Sequence, residues 1–277
     1  MPFLARAEAP LLIASCAAYL VAMLLLWTQL FLLPRADETS RRTPADWGRA
    51  LLWFGALTHL ISLAGQGPML FLQRAGVAGL FGWFLIVSYL IGGKRLGAGS
   101  GSIVAPVALC ATLYSLAAPV HQTWAPDNNL EKFWLATHVF LIIAGYVALS
   151  FAFMASLLYF AQEDLLKRKK LRGLWQKLPS LGAADEWIFR ATAFGVALLT
   201  LGLVTGVAFS SAQITGYQPL SDPKVLFSSA TWAIFAAYLG ARWWLGWHGR
   251  RSNLVVVCGF VVLAVSFFGV PHLMPGS

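Results

Sequence analysis

Residues 133–161 read FWLATHVFLIIAGYVALSFAFMASLLYFA, an apolar run that holds one histidine, His138, and no charged side chain. A run this long exceeds the roughly 20 residues that an α-helix needs to cross a bilayer, so it reads as a membrane span. The rest of the 277-residue chain has the same character, with 58% hydrophobic and 11% charged residues, against about 25% charged in an ordinary soluble domain. A soluble enzyme of ordinary composition is excluded. Apolar stretches bounded by Pro, Gly or charge give eight candidate spans, at about 10–33, 47–65, 75–92, 103–118, 133–161, 188–209, 225–244 and 253–270. Eight spans use about 160 residues and leave only short connections. The expected fold is all-α, a polytopic membrane helix bundle of about eight transmembrane helices, with residues 1–277 forming a single unit.

Loop charge sets the expected orientation, because cytoplasmic loops collect Lys and Arg. One side holds thirteen: Arg35, Arg41, Arg42, Lys94, Arg95, Lys167, Arg168, Lys169, Lys170, Arg172, Lys177, Arg250 and Arg251. The other holds four, Arg6, Arg74, Lys132 and Lys224. Both termini are therefore expected outside, and the first apolar run is expected to remain as an uncleaved span. The formal charge of +9 reports this orientation and contact with anionic lipid; a nucleic-acid partner is not expected. Lys167, Arg168, Lys169 and Lys170 are the lipid candidates. Leu171, Leu174, Trp175 and Leu178 follow at helical spacing, which suits either a surface-lying helix or a solvated loop. Cys16, Cys110 and Cys258 lie in apolar runs without metal-ligand spacing and read as small buried residues. Trp27, Trp47, Trp134, Trp187, Trp243, Trp244 and Trp247 fall near span ends, as an interfacial aromatic belt would.

Ionisable residues inside a span are costly, and each is a functional candidate. Two histidines qualify. His59 precedes Gly65 by six residues and His138 follows Phe133 by five, which at about 1.5 Å per residue puts both roughly 8–9 Å below the outer interface. His121 and His272 fall on the same side, and His248 alone lies on the cytoplasmic side. Neutral imidazoles at one depth can supply axial ligands to haem iron. The plainer alternative is a polar group hydrogen-bonded to a neighbouring helix. There is no HExxH or CxxCH motif and no His/carboxylate cluster in the spans, so zinc-protease, c-type haem and di-iron chemistry lack their ligands.

Several motifs resemble the cytochrome c assembly superfamily of haem-handling membrane proteins, closest to its short HemX-like branch. Trp134-Leu135-Ala136-Thr137-His138-Val139 followed by Tyr146 is similar to the family's W-L-x-x-H-V-x(6)-Y segment. Leu178-Pro179-Ser180-Leu181, Asp185, Arg190, Gly195 and the run Leu199-Thr200-Leu201-Gly202 with Gly206 resemble its next block. Thr231-Trp232, Tyr238-Leu239, Arg242, Gly246-Trp247, Gly249-Arg250-Arg251, Gly259-Phe260 and Phe267-Phe268-Gly269-Val270 resemble its end. The resemblance covers about 47–272. It implies that His138 is an axial haem ligand, and that His59 and His272 match further family histidines. The synthetases of this superfamily carry a Trp-rich external loop, whereas Ser210–Lys224 here retains Asp222-Pro223-Lys224 and no Trp, so much of the stacking surface for a porphyrin is gone.

The expected function is therefore non-covalent binding of haem b, with His59 and His138 on the iron and His272 the next candidate, in haem handling or cytochrome c biogenesis rather than catalysis. Other cytochrome c biogenesis proteins are the expected partners, and a bacterial inner membrane is the expected location. One iron shared by His59 and His138 would bring their coordinating nitrogens to roughly 4 Å. A small-solute transporter and a regulatory scaffold acting through Lys167–Lys177 are the alternatives. The first needs broken helices and a polar cavity; the second needs a cytoplasmic partner.

Overall fold

The computed structural model describes residues 2–32, 43–92, 100–118, 128–169, 180–213, 218 and 221–270. Among them are eight α-helices and no strand: α1 Pro2–Trp27, α2 Pro44–Gln66, α3 Arg74–Gly92, α4 Gly101–Ala117, α5 Asn129–Lys167, α6 Leu181–Gln213, α7 Pro223–Trp244 and α8 Arg250–Ala264. Each contains or overlaps one apolar run of the sequence. Six helical stretches, those of α1, α3, α5, α6, α7 and α8, are long and apolar enough to cross a membrane; α4 is a shorter apolar helix. The protein is an integral membrane protein.

Two helices outrun their apolar segments. α5 continues to Lys167 because Gln162–Lys167 is made of good helix formers and Glu163 pairs with Lys167 one turn on, Nζ to Oε1 2.8 Å. α6 starts at Leu181, ahead of its apolar run, and there Glu186 pairs with Arg190 one turn on, Nε to Oε1 2.8 Å. The basic stretch from Lys170 to Pro179 lies outside the described residues, as do His121, His272 and Arg35–Arg42.

The chain divides into two compact units, Met1–His121 with Ala161–Ser180, and Gln122–Phe160 with Leu181–Ser277. In the first, α2 opens on a capping box: Thr43 Oγ1 accepts from Asp46 N, while Asp46 Oδ2 accepts from Thr43 N at 2.9 Å. Small residues let helices close up. A Cβ at Gly55 would meet the Tyr19 ring at 2.6 Å, so α1 lies directly on α2. Ser15 and Thr58 hydroxyls bond across that contact at 2.9 Å. The Trp83 indole donates to Ala56 O at 2.9 Å, tying α3 to α2, and the Trp27 indole donates to Ser102 O at 2.7 Å, tying α1 to α4.

In the second unit a buried ion pair joins three helices. Arg242 Nη1 lies 2.6 Å from Asp185 Oδ2, with both side chains over 90% buried. The other carboxylate oxygen accepts the Gly249 N–H at 3.2 Å, where α8 begins. Asp185 of α6 thus holds the end of α7 and the start of α8. At the opposite end of α7, Asp222 Oδ1 caps the helix by accepting from Lys224 N at 2.8 Å. The Lys224 ammonium donates to Ser266 O at 2.5 Å, near Phe267 O and Val270 O. Val265–Gly269 is a π-helical turn, and a lysine on its terminal carbonyls satisfies acceptors that a helix end leaves open.

One expectation is corrected. Cys16 is buried, but Cys110 and Cys258 are exposed on α4 and α8. In a lipid-facing protein an apolar run is apolar on its outer face too, so residue type does not separate core from lipid surface. The seven tryptophans noted near span ends are all exposed, as the aromatic belt requires. Asp185→Ala should lower unfolding stability in detergent by up to about 3–5 kcal/mol, because it leaves the buried Arg242 charge with only the more distant Glu186 Oε2 at 3.8 Å; thermal unfolding of the purified variant checks this.

Candidate functional site: the His138 seat

Between α5 and α6 the backbones meet through glycines. Along α5 the contact positions are His138, Ile142, Gly145 and Leu149, with steps of four, three and four residues; along α6 they are Gly206, Gly202, Leu199 and Gly195, at the same steps in the opposite direction. A Cβ at Gly195 would meet Leu149 Cγ at 2.8 Å, one at Gly202 would meet Ile142 Cδ1 at 2.6 Å, and one at Gly206 would meet His138 Cε1 at 2.5 Å. A Cβ at Gly145 would stand 3.1 Å from Gly195 O. Each interior glycine costs about 1 kcal/mol of helix propensity relative to alanine. What it permits here is close approach, as in membrane helix pairs generally.

That approach settles the chemistry of His138. Its Nδ1 lies 2.7 Å from Gly202 O. A carbonyl only accepts, so Nδ1 carries the proton, and in the neutral ring Nε2 is the lone-pair nitrogen. Metal-bound histidines show this arrangement, with the second ring nitrogen donating to a carbonyl that fixes tautomer and ring plane. The His138 side chain is half-buried. These residues fit an axial haem ligand: the donor is neutral, its orientation is fixed, and the ring is not enclosed.

His59 is held differently. It is fully buried within the first unit. Its Nδ1 lies 3.3 Å from the Tyr19 hydroxyl, and its Nε2 has no hydrogen-bond partner. A Cβ at Gly79 would stand 3.4 Å from that Nε2 and 2.8 Å from Ser115 Oγ, which is also without a partner. The ring is therefore packed against α3, and a metal reaching Nε2 would require α3 to move aside. His59 and His138 fall in different units. His272 lies outside the described residues. No cluster of three or more His, Cys, Asp or Glu side chains suited to a metal ion occurs among the described residues.

Sequence reasoning picked out His138 and the spacing Gly202–Gly206 separately. It missed that the glycines seat the imidazole and that Tyr19 faces His59. The first link had a readable signal, two small residues one helical turn apart in a span adjacent in sequence. Tyr19 had none, because α1 gives no polar periodicity.

An all-helical membrane protein with a carbonyl-oriented intramembrane imidazole defines the class. The family model described as cytochrome C assembly protein matches residues 12–276, and the chain belongs to that family. Among curated relatives, a cytochrome c biogenesis protein CcsA of Prochlorococcus marinus (strain MIT 9303) is 31% identical over 189 residues, 58% of this chain and 59% of the relative. The protein of that name from Chlamydomonas reinhardtii is 29% identical over 174 residues, 61% of this chain and 48% of the relative. Protein HemX of Brevibacillus brevis is 29% identical over 168 residues, 61% of this chain and 60% of the relative. The matched stretches span between 48% and 60% of the length of these three relatives. No solved structure matches.

Gly206→Ala gains at most about 1 kcal/mol of helix propensity but drives a methyl into the His138 ring, and overpacking of this kind costs about 1–3 kcal/mol. The ring is stiff, so the clash wins. The variant should unfold at lower temperature and show altered reactivity of His138 toward diethyl pyrocarbonate; a raised midpoint with unchanged reactivity would remove the seat.

Proposed function

We propose that this chain binds haem b non-covalently and acts in haem handling during cytochrome c assembly. The observation that carries the reading is the Nδ1–H of His138 on Gly202 O at 2.7 Å, which leaves Nε2 as the ligating nitrogen. Membership of the cytochrome c assembly family supports the haem cargo. Haem iron supplies axial positions that accept neutral imidazoles. In this proposal His138 and His59 would hold the iron, with His272 as the next candidate, and the Gly202–Gly206 seat would keep the plane of the His138 ring. His59 is reached only after α3 shifts from its ring. Apolar surroundings exclude water and favour a neutral imidazole.

The same proposal treats residues 1–277 as one functional domain with eight crossings, both termini outside, in a bacterial inner membrane. Other cytochrome c biogenesis proteins are its partners, and Lys167, Arg168, Lys169 and Lys170 meet anionic lipid. The Asp222–Lys224 segment, shared with the Trp-rich loop of synthetases, has a structural use here in capping α7 and closing the last turn, which supports haem binding without a synthetase's presentation loop.

Protein purified after haem supplementation should show a Soret band that sharpens and shifts on reduction with dithionite. His138→Ala should weaken haem retention by about a hundredfold or more, since losing only a hydrogen-bond partner behind a metal ligand already costs about 10–100-fold, and His59→Ala should alter the reduced spectrum. A sample without Soret absorbance, or one left unchanged by both substitutions together, contradicts the reading.

A further inference from the structure

Within the first unit, three polar links fix the register of α1 on α2. Ser62 Oγ donates to Glu8 O at 2.9 Å, the Ser15 and Thr58 hydroxyls meet at 2.9 Å, and the Tyr19 hydroxyl lies 3.3 Å from His59 Nδ1. Positions 8, 15 and 19 thus meet 62, 58 and 59, so the two helices run antiparallel. Tyr19 and His59 are both fully buried, with their rings tilted by 58°. The phenol ring lies over Gly55, where a Cβ would meet its Cε1 at 2.6 Å.

The hydrogen bond between Tyr19 and His59 has two forms, which differ in what His59 offers. With Tyr19 accepting, Nδ1 carries the ring proton and Nε2 is bare, as at His138. With Tyr19 donating, Nδ1 is the acceptor and the proton of the neutral ring sits on Nε2. Two arguments favour the second form. A phenol O–H is a stronger donor than an imidazole N–H, and an imidazole nitrogen is a stronger acceptor than a phenol oxygen. The hydrogen left over also differs. In the first form it is the Tyr19 hydroxyl hydrogen, and that hydroxyl has His59 Nδ1 as its hydrogen-bond partner and no other among the described residues. In the second it is the Nε2 hydrogen, on the side where Ser115 Oγ, an unpartnered acceptor, lies across Gly79.

We infer that Tyr19 is a positioning residue that keeps His59 in the opposite tautomer from His138 and so makes His59 the later ligand. The inference rests on the haem reading. His138 offers a bare Nε2 at rest, whereas His59 offers an N–H there. His59 becomes a ligand when its ring proton passes from Nε2 to Nδ1 and the Tyr19 hydroxyl turns from donor to acceptor. The ring stays neutral and Tyr19 keeps its own hydrogen.

Nitrogen-15 NMR of the haem-free full chain in detergent, labelled at histidine and assigned with His59→Gln, reads the resting tautomer. The expected result is a proton on Nε2 of His59. Tyr19→Phe keeps a ring over Gly55 and should move His59 toward the other tautomer. The second arm is electron paramagnetic resonance of ferric haem added to the His272→Ala protein, with and without Tyr19→Phe. The ratio of low-spin signal from two imidazoles to high-spin signal from one should rise about threefold to tenfold, the factor that one net hydrogen bond is worth; loss of packing alone would lower it. A proton on Nδ1 of resting His59 overturns the inference while haem binding stands. So does a ratio that Tyr19→Phe leaves unchanged or lowers, or a protein wholly low-spin before that substitution. A missing Soret band overturns the haem reading and the order of ligation with it, and is distinguished by the NMR arm, which needs no haem.

Discussion

Close contact between α5 and α6 is the constraint on which the candidate site depends. Four glycines bring two backbones near enough that a side chain of one helix reaches a main-chain carbonyl of the other. In lipid there is little hydrophobic force between helices, so the contact relies on packing and on such hydrogen bonds. Gly202 serves twice: its missing side chain admits Ile142, and its carbonyl takes the His138 proton. A carbonyl inside a helix already accepts from the next turn, and it also accepts from Thr205 Oγ1 at 2.9 Å. It is an acceptor shared among several donors, and His138 Nδ1 at 2.7 Å makes the shortest of the side-chain contacts to it.

The same economy recurs at the other end of the second unit. One carboxylate, Asp185, meets a guanidinium and a helix N-terminus together. Burying an ion pair is at best a modest source of stability, but removing either partner is costly, so the pair fixes the arrangement of α6, α7 and α8. Lys224 acts similarly on the closing π-turn. The second unit is therefore fastened at both ends by charges and along one face by glycines, and His138 belongs to that face.

Much of this was legible in the sequence, and the reason is physical. Helices in lipid must be long and apolar, so the eight described helices fell on the apolar runs, whereas the Thr43–Asp46 box that opens α2 was not picked out beforehand. The length of α5 beyond Ala161 was less legible, since polar helix formers extend a helix without a hydropathy signal. The exposure of Cys110 and Cys258 was hidden because lipid removes the polar face that marks a surface in water. His138 and Gly206 could be named individually, but their contact depends on the rotation of α5 against α6, which only packing sets. His59 was singled out as a histidine in an apolar run, while its enclosure by Tyr19, Gly79 and Ser115 depended on three other helices.

His138 presents Nε2 because the Gly202 carbonyl holds the proton on Nδ1. Nitrogen-15 NMR of protein labelled at histidine, with His138→Gln to assign the signal, reads the protonation of each ring nitrogen directly. The expected result is a proton on Nδ1, an unprotonated Nε2, and a change confined to Nε2 coordination when haem is added. A proton on Nε2, or a His138 signal that haem leaves untouched, would contradict it.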